Sequence, residues 1–116
     1  MPQITVDYSD RLADTFDRPG FATAVHEAVV TIAAATPQAC KTRFRRTEDT
    51  VVGPDTDGHA VVHVEIGLLA GRTEETRDRL AEAVLALLGQ HLKPTGALAV
   101  HLSAEIRDLD PSYRSA

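Results

Sequence analysis

Pro2 is the residue with most chemical potential in this sequence, because removal of the initiator Met would expose it as a secondary amine at the chain terminus. Methionine is commonly removed when so small a residue follows it. An α-amino group titrates at roughly 7.7 to 8.0 in an unstructured peptide, and burial or nearby cations bring that value down, so it can serve as a general base near neutral pH. With Met1 retained, the same nitrogen is a tertiary amide with no lone pair for proton transfer. Many chains also begin Met-Pro with no catalytic purpose, so Pro2 has meaning only beside the groups that accompany it.

Those groups are cationic. Lys41, Arg43, Arg45 and Arg46 place four positive charges in residues 41 to 46 of a chain whose net charge is -5, and Arg72 follows in Ala70-Gly71-Arg72-Thr73. Such a patch suits a small polyanion and favours the neutral, basic form of an adjacent amine. Arg45 and Arg46 are read more simply, as charges guarding a strand edge. The overall acidity, the absence of Trp and the presence of only five Phe or Tyr argue against nucleic acid. His63 with Glu65, and His101 with Glu105, carry metal-binding atoms, but a zinc site needs three or four converging ligands and nothing in the sequence fixes these four together; no metal is expected. Cys40 is the only cysteine, which excludes an intramolecular disulfide and a cysteine-based metal framework and leaves an inert packing residue.

The elements that must position these groups follow from periodicity. Ile4, Val6 and Tyr8 alternate with Gln3, Thr5 and Asp7 as in a half-buried strand. Phe21, Val25, Ala28, Val29 and Ile32 then recur at helical spacing, with a start at Asp17 to Pro19 and an end at Pro37. A second strand is read over Lys41 to Val52, and Gly53 to Gly58 is the clearest turn. Ala60 to Leu68 alternates again, and Gly71 breaks it. Thr73 caps a second helix marked by Leu80, Val84, Leu87, Leu88 and Leu92 and ended by Pro94 and Gly96. Leu98 to Ile106 is the fourth strand. The expectation is therefore an α/β (α+β) fold of one domain, 1–116. It has two consecutive β-α-β units, about 2–55 and 58–107, forming a four-stranded sheet with two helices on one face, and a loose polar tail at 108–116. No apolar run reaches the roughly 18 residues of a membrane span, and the N-terminus shows no targeting signal, which gives a cytoplasmic setting as the default.

Pro2 opening a strand, Ser9-Asp10 after it, Pro19-Gly20 at the first helix, Lys41-Thr42-Arg43, and Ala70-Gly71-Arg72-Thr73 before the second helix occur in an order and at separations that resemble the 5-carboxymethyl-2-hydroxymuconate isomerase family of the tautomerase superfamily. The resemblance spans residues 2 to 107. It implies a tautomerase-like homotrimer that uses no cofactor or metal and moves a proton through the amino-terminal proline. The implied substrate is a carboxylated 2-hydroxydienoate of the aromatic meta-cleavage route from 4-hydroxyphenylacetate, which becomes its 2-oxo isomer. On this likeness Pro2 and Arg72 are catalytic, and Lys41 and Arg43 bind substrate. Lys41 departs from the family's usual arginine, giving a point charge where a guanidinium would grip a carboxylate with two bonds. Two rivals remain: a tautomerase acting on another keto acid, and a noncatalytic ferredoxin-like or tautomerase-like module that binds small anions or partner subunits.

Overall fold

Each of the alternating runs forms a strand, and each helical spacing forms a helix. The computed structural model describes residues 2–93 and 96–116. In chain order it contains β1 (Gln3–Ser9), a 3-10 turn (Asp10–Leu12), α1 (Arg18–Ala33), a second 3-10 turn (Pro37–Ala39), β2 (Lys41–Thr47), β3 (His59–Leu68), α2 (Glu74–His91) and β4 (Ala99–Asp108). The strands form one mixed sheet in the order β2-β1-β3-β4. Within each β-α-β unit the two strands are parallel, as a helical crossover requires, and the units join through antiparallel β1 and β3. Among the described residues, no helix is long and apolar enough to cross a membrane.

Both helices cover the same face of the sheet. Ile4 and Val6 of β1, and Ala60, Val62, Val64 and Ile66 of β3, are fully buried there against Phe21, Val25 and Val29 of α1 and Leu80, Val84 and Leu88 of α2. At the far end of β1, Tyr8, Phe16, Phe21 and Phe44 pack ring against ring, mostly edge to face. The opposite face is polar, and no helix among the described residues covers it. In register across β2, β1, β3 and β4 it presents Arg45, Asp7, His63 and Ser103, then Arg43, Thr5, Glu65 and Glu105, then Lys41, Gln3, Gly67 and Arg107.

Local chemistry sets the boundaries. Asp17 caps α1 by accepting the Gly20 N–H at 3.1 Å, and a Cβ at Gly20 would sit 2.2 Å from the Asp17 carboxylate, so glycine is what lets the cap close. The helix stops at Ala33, where Ala34 turns left-handed at φ 57°; Pro37, expected to end it, instead starts the second 3-10 turn. Thr73 accepts the Thr76 N–H at 3.1 Å and caps α2, with Glu74 and Glu75 in its first turn. Pro94, the expected end signal of α2, lies outside the described residues. β2 ends at Thr47, short of the expected Val52, because its partner β1 ends opposite it at Ser9. Residues 48–52 run past the end of β1, and of these Val52 bridges only to Asp55 in the turn.

The C-terminal tail is held rather than loose. Leu109 N–H donates to the Leu68 carbonyl at 2.7 Å, and Gln3 Nε2 donates to the Tyr113 hydroxyl at 3.0 Å. Gly67 leaves room for Leu109, whose side chain a Cβ there would meet at 2.6 Å. Composition alone suggested a solvated tail because Leu109 and Tyr113 are only two anchors among polar residues.

Ser9 is buried, and its hydroxyl accepts the Val61 N–H at 2.8 Å while sharing a 2.6 Å hydrogen bond with Thr50. Ser9→Ala leaves both partners without this group, so equilibrium denaturation should show a loss of about 1–3 kcal/mol. An unchanged midpoint would mean that water replaces the hydroxyl.

Candidate active site

Strand directions bring the starts of β1 and β2 and the end of β3 to one end of the sheet, since Gln3 lies opposite both Lys41 and Gly67. Pro2, one residue before β1, is buried there, and its carbonyl accepts the Lys41 N–H at 3.2 Å. The last turn of α1 reaches the same end. Arg72 joins it to the segment after β3: Nε and Nη2 donate to the Ala33 carbonyl at 3.1 and 2.9 Å, and Nη1 donates to the Leu69 carbonyl at 3.1 Å. The last turn of α1 contains no basic residue, so Arg72 supplies from a distance the cation that a helix C-terminus favours.

The four clustered cations have different fates. Arg45 grips Asp7 through two bonds, at 2.7 and 3.0 Å, and the resulting hydrogen bond and charge hold the Asp7 carboxyl below its ordinary range despite partial burial. Arg46 pairs with Asp10. Among the described residues, neither Lys41 nor Arg43 has a carboxylate at salt-bridge distance. The Lys41 ammonium donates to the Ala39 carbonyl at 3.3 Å, and Arg43 donates to the Gln3 side-chain carbonyl at 2.8 Å and to the Thr5 hydroxyl at 3.3 Å. Arg45 and Arg46 are thus paired, and among the described residues the two cations of the cluster nearest Pro2 in register have no carboxylate partner.

A model of the 5-carboxymethyl-2-hydroxymuconate isomerase family matches residues 2–115. The chain belongs to that family. Its function is accordingly of the isomerase or tautomerase type. Among solved structures, a 5-carboxymethyl-2-hydroxymuconate isomerase from Deinococcus radiodurans R1 is similar at 22% identity and TM-score 0.84, with 98% of this chain and 88% of that chain covered. A 5-carboxymethyl-2-hydroxymuconate delta-isomerase is similar at 16% identity and TM-score 0.72, over 100% of this chain and 87% of that chain. A fused 4-OT wild-type symmetric trimer is similar at 18% identity and TM-score 0.76, over 98% and 90% of the two chains. These likenesses show the tautomerase fold. No curated protein sequence matches.

For a member of the 5-carboxymethyl-2-hydroxymuconate isomerase family, the arrangement within one chain is informative in what it separates. Pro2, Lys41 and Arg72 share one end of the sheet. Arg43 reaches over the open face into a concavity of about 430 Å³ that carries both signs of charge, with Arg107 on one hand and Glu65, Asp108 and Asp110 on the other, and neither Pro2, Lys41 nor Arg72 borders it. Gln3, which accepts from Arg43 and donates to the Tyr113 hydroxyl, gave no chemical signal in the sequence beyond its place on the polar side of an alternating strand. Cys40, on the core side between Thr36 and Lys41, has its thiol pushed up by burial and hydrogen-bonded to the Thr36 carbonyl, consistent with packing rather than nucleophilic work. His26 of α1, unremarked in the sequence, contacts the Thr42 hydroxyl at 2.8 Å, and burial holds its pKa below the usual histidine value, which favours a neutral ring.

Proposed function

We propose that this chain, with Met1 removed, isomerises an anionic 2-hydroxydienoate of the 5-carboxymethyl-2-hydroxymuconate type to its 2-oxo isomer, without a cofactor, as a cytoplasmic homotrimer. The observation that carries the reading is the selective pairing of charge: Arg45 and Arg46 are neutralised by Asp7 and Asp10, while Lys41 and Arg43 are not. In the reaction the Pro2 amine takes the proton from the 2-hydroxyl, electrons move along the diene as the 2-oxo group forms, and the same amine returns a proton to the distant carbon. Arg72 stabilises the charge that develops on oxygen, and Lys41 and Arg43 hold carboxylates. Burial of Pro2 and the nearby cations both favour the neutral amine. Trimer formation is supported by the likeness to a symmetric trimer, and it would cover the edge strands β2 and β4.

The test is an ultraviolet absorbance assay over a panel of 2-hydroxydienoates and phenylpyruvate, with the intact mass of the same sample recorded. Turnover of a dicarboxylated or tricarboxylated dienol by protein lacking Met1 is the expected result. Anion binding with no turnover of any panel member would favour the noncatalytic module.

The lysine at 41 favours a second reading, in which the same proton transfer acts on a different keto acid. Lys41→Arg should shift preference toward substrates with a carboxylate at that subsite, by about tenfold in kcat/KM, because a two-bond grip replaces a point charge. Unchanged relative kcat/KM values across the panel would show that residue 41 reads no carboxylate.

A further inference from the structure

We infer that the open face of the sheet carries a site for a first-row divalent cation, built from His63, Glu65 and Glu105. Donor atoms of these three side chains all lie within 4.8 Å of one another. Their convergence comes from register: Glu65 of β3 stands directly opposite Glu105 of β4, and His63 is two residues back on the same face of β3. The sequence placed His101 in the same company, but His101 turns away to stack on His59 and share a 2.9 Å hydrogen bond with it.

Two adjacent carboxylates repel when they face each other across neighbouring strands, and a cation between them removes that cost. At present each has a separate partial remedy. Arg107 lies 3.4 Å from Glu65, and His63 Nε2 lies 3.1 Å from Glu105. A carboxylate only accepts, so Nε2 carries a proton in this contact, and Ser103 lies 2.7 Å from Nδ1. A serine hydroxyl can accept as well as donate. A metal on Nε2 requires the neutral tautomer with its one proton on Nδ1, and that N–H can donate a hydrogen bond to the Ser103 hydroxyl, so the second nitrogen stays satisfied. Asp7, next to His63 in register, is taken by Arg45 and does not join the set.

One imidazole and two carboxylates suit Zn²⁺ better than Mg²⁺, which prefers all-oxygen ligands and retains its water. The site lies on the polar face, and its Glu65 also lines the concavity that Arg43 enters.

Calorimetric titration of the chelator-treated full chain with ZnCl₂, beside MgCl₂, tests the inference. One Zn²⁺ per chain is expected, with Mg²⁺ giving no comparable heat. His63→Ala and Glu105→Gln should each weaken Zn²⁺ at least about tenfold, and Ser103→Ala by about tenfold through loss of the ring's support. Arg107→Ala should tighten it by freeing Glu65. Circular dichroism of each variant checks that the fold is kept. The inference fails if Zn²⁺ does not saturate, if His63→Ala binds within about twofold of the native chain, or if His101→Ala causes an equal loss, which would move the metal to the His59 and His101 pair.

Discussion

If Pro2 is the base proposed above, a chain that keeps Met1 should turn over the proposed dienol substrate about 10²- to 10⁴-fold more slowly than the processed chain, the range that a positioned general base contributes. The fold has no reason to change. The β1 ladder begins at Gln3, and Pro2 contributes only its carbonyl to Lys41, so a residue before Pro2 leaves the pairing of the sheet intact. What changes is the nitrogen, from a basic amine to an amide without an available lone pair. Pro2→Ala separates the amine from the ring, because alanine also permits removal of Met1 and leaves a primary amine in place; its loss should be the smaller of the two. The comparison needs purified protein of both forms, intact mass to verify Met1, sedimentation to verify equal assembly, and kcat on the best substrate. Equal kcat with and without Met1 would place the base elsewhere in the molecule.

The parts legible in the sequence are those governed by short-range rules. Alternation in Gln3 to Tyr8 separates the face that carries Thr5 and Asp7 from the face that packs on the helices, and Asp17 and Thr73 cap the helices that follow them. The same alternation sends Lys41, Arg43 and Arg45 to the polar side of β2. Contacts between distant segments were not legible. Nothing near Arg45 or Arg46 announces Asp7 and Asp10 as their partners, since those carboxylates sit on the preceding strand and turn. Glu65 and Glu105 meet only because the β3–β4 register sets them opposite, and a one-residue slip would send one of them into the core. The tail's anchoring is hidden for a similar reason: Leu109 packs at Gly67 and Tyr113 accepts from Gln3, and Gln3 is 110 residues from Tyr113. Motif likeness located Arg72 but gave no indication that it clasps the end of α1.

That clasp shapes what Arg72→Ala should do. A guanidinium has five N–H donors, and three of the nitrogens each donate one to the carbonyls of Ala33 and Leu69, which leaves two N–H groups for an anion. The backbone contacts hold the cation in place, so in the proposed reaction the remaining donors would meet developing negative charge without reorganising. Arg72→Ala would remove both the clasp and this proposed donor. Loss of a charged hydrogen-bonding group at the end of α1 should lower stability by about 1.5–3 kcal/mol, and loss of a preorganised donor should lower kcat by about 10²- to 10³-fold in the protein that remains folded. Arg72→Lys restores the charge but not the fork, and should recover part of the stability and little of the rate. Denaturant unfolding and kcat per folded chain, measured on the same samples, separate the two effects. If kcat per folded chain is unchanged while stability falls, Arg72 is a structural clasp alone, and the charge on the reacting oxygen must be met by Lys41, Arg43 or a group from another subunit.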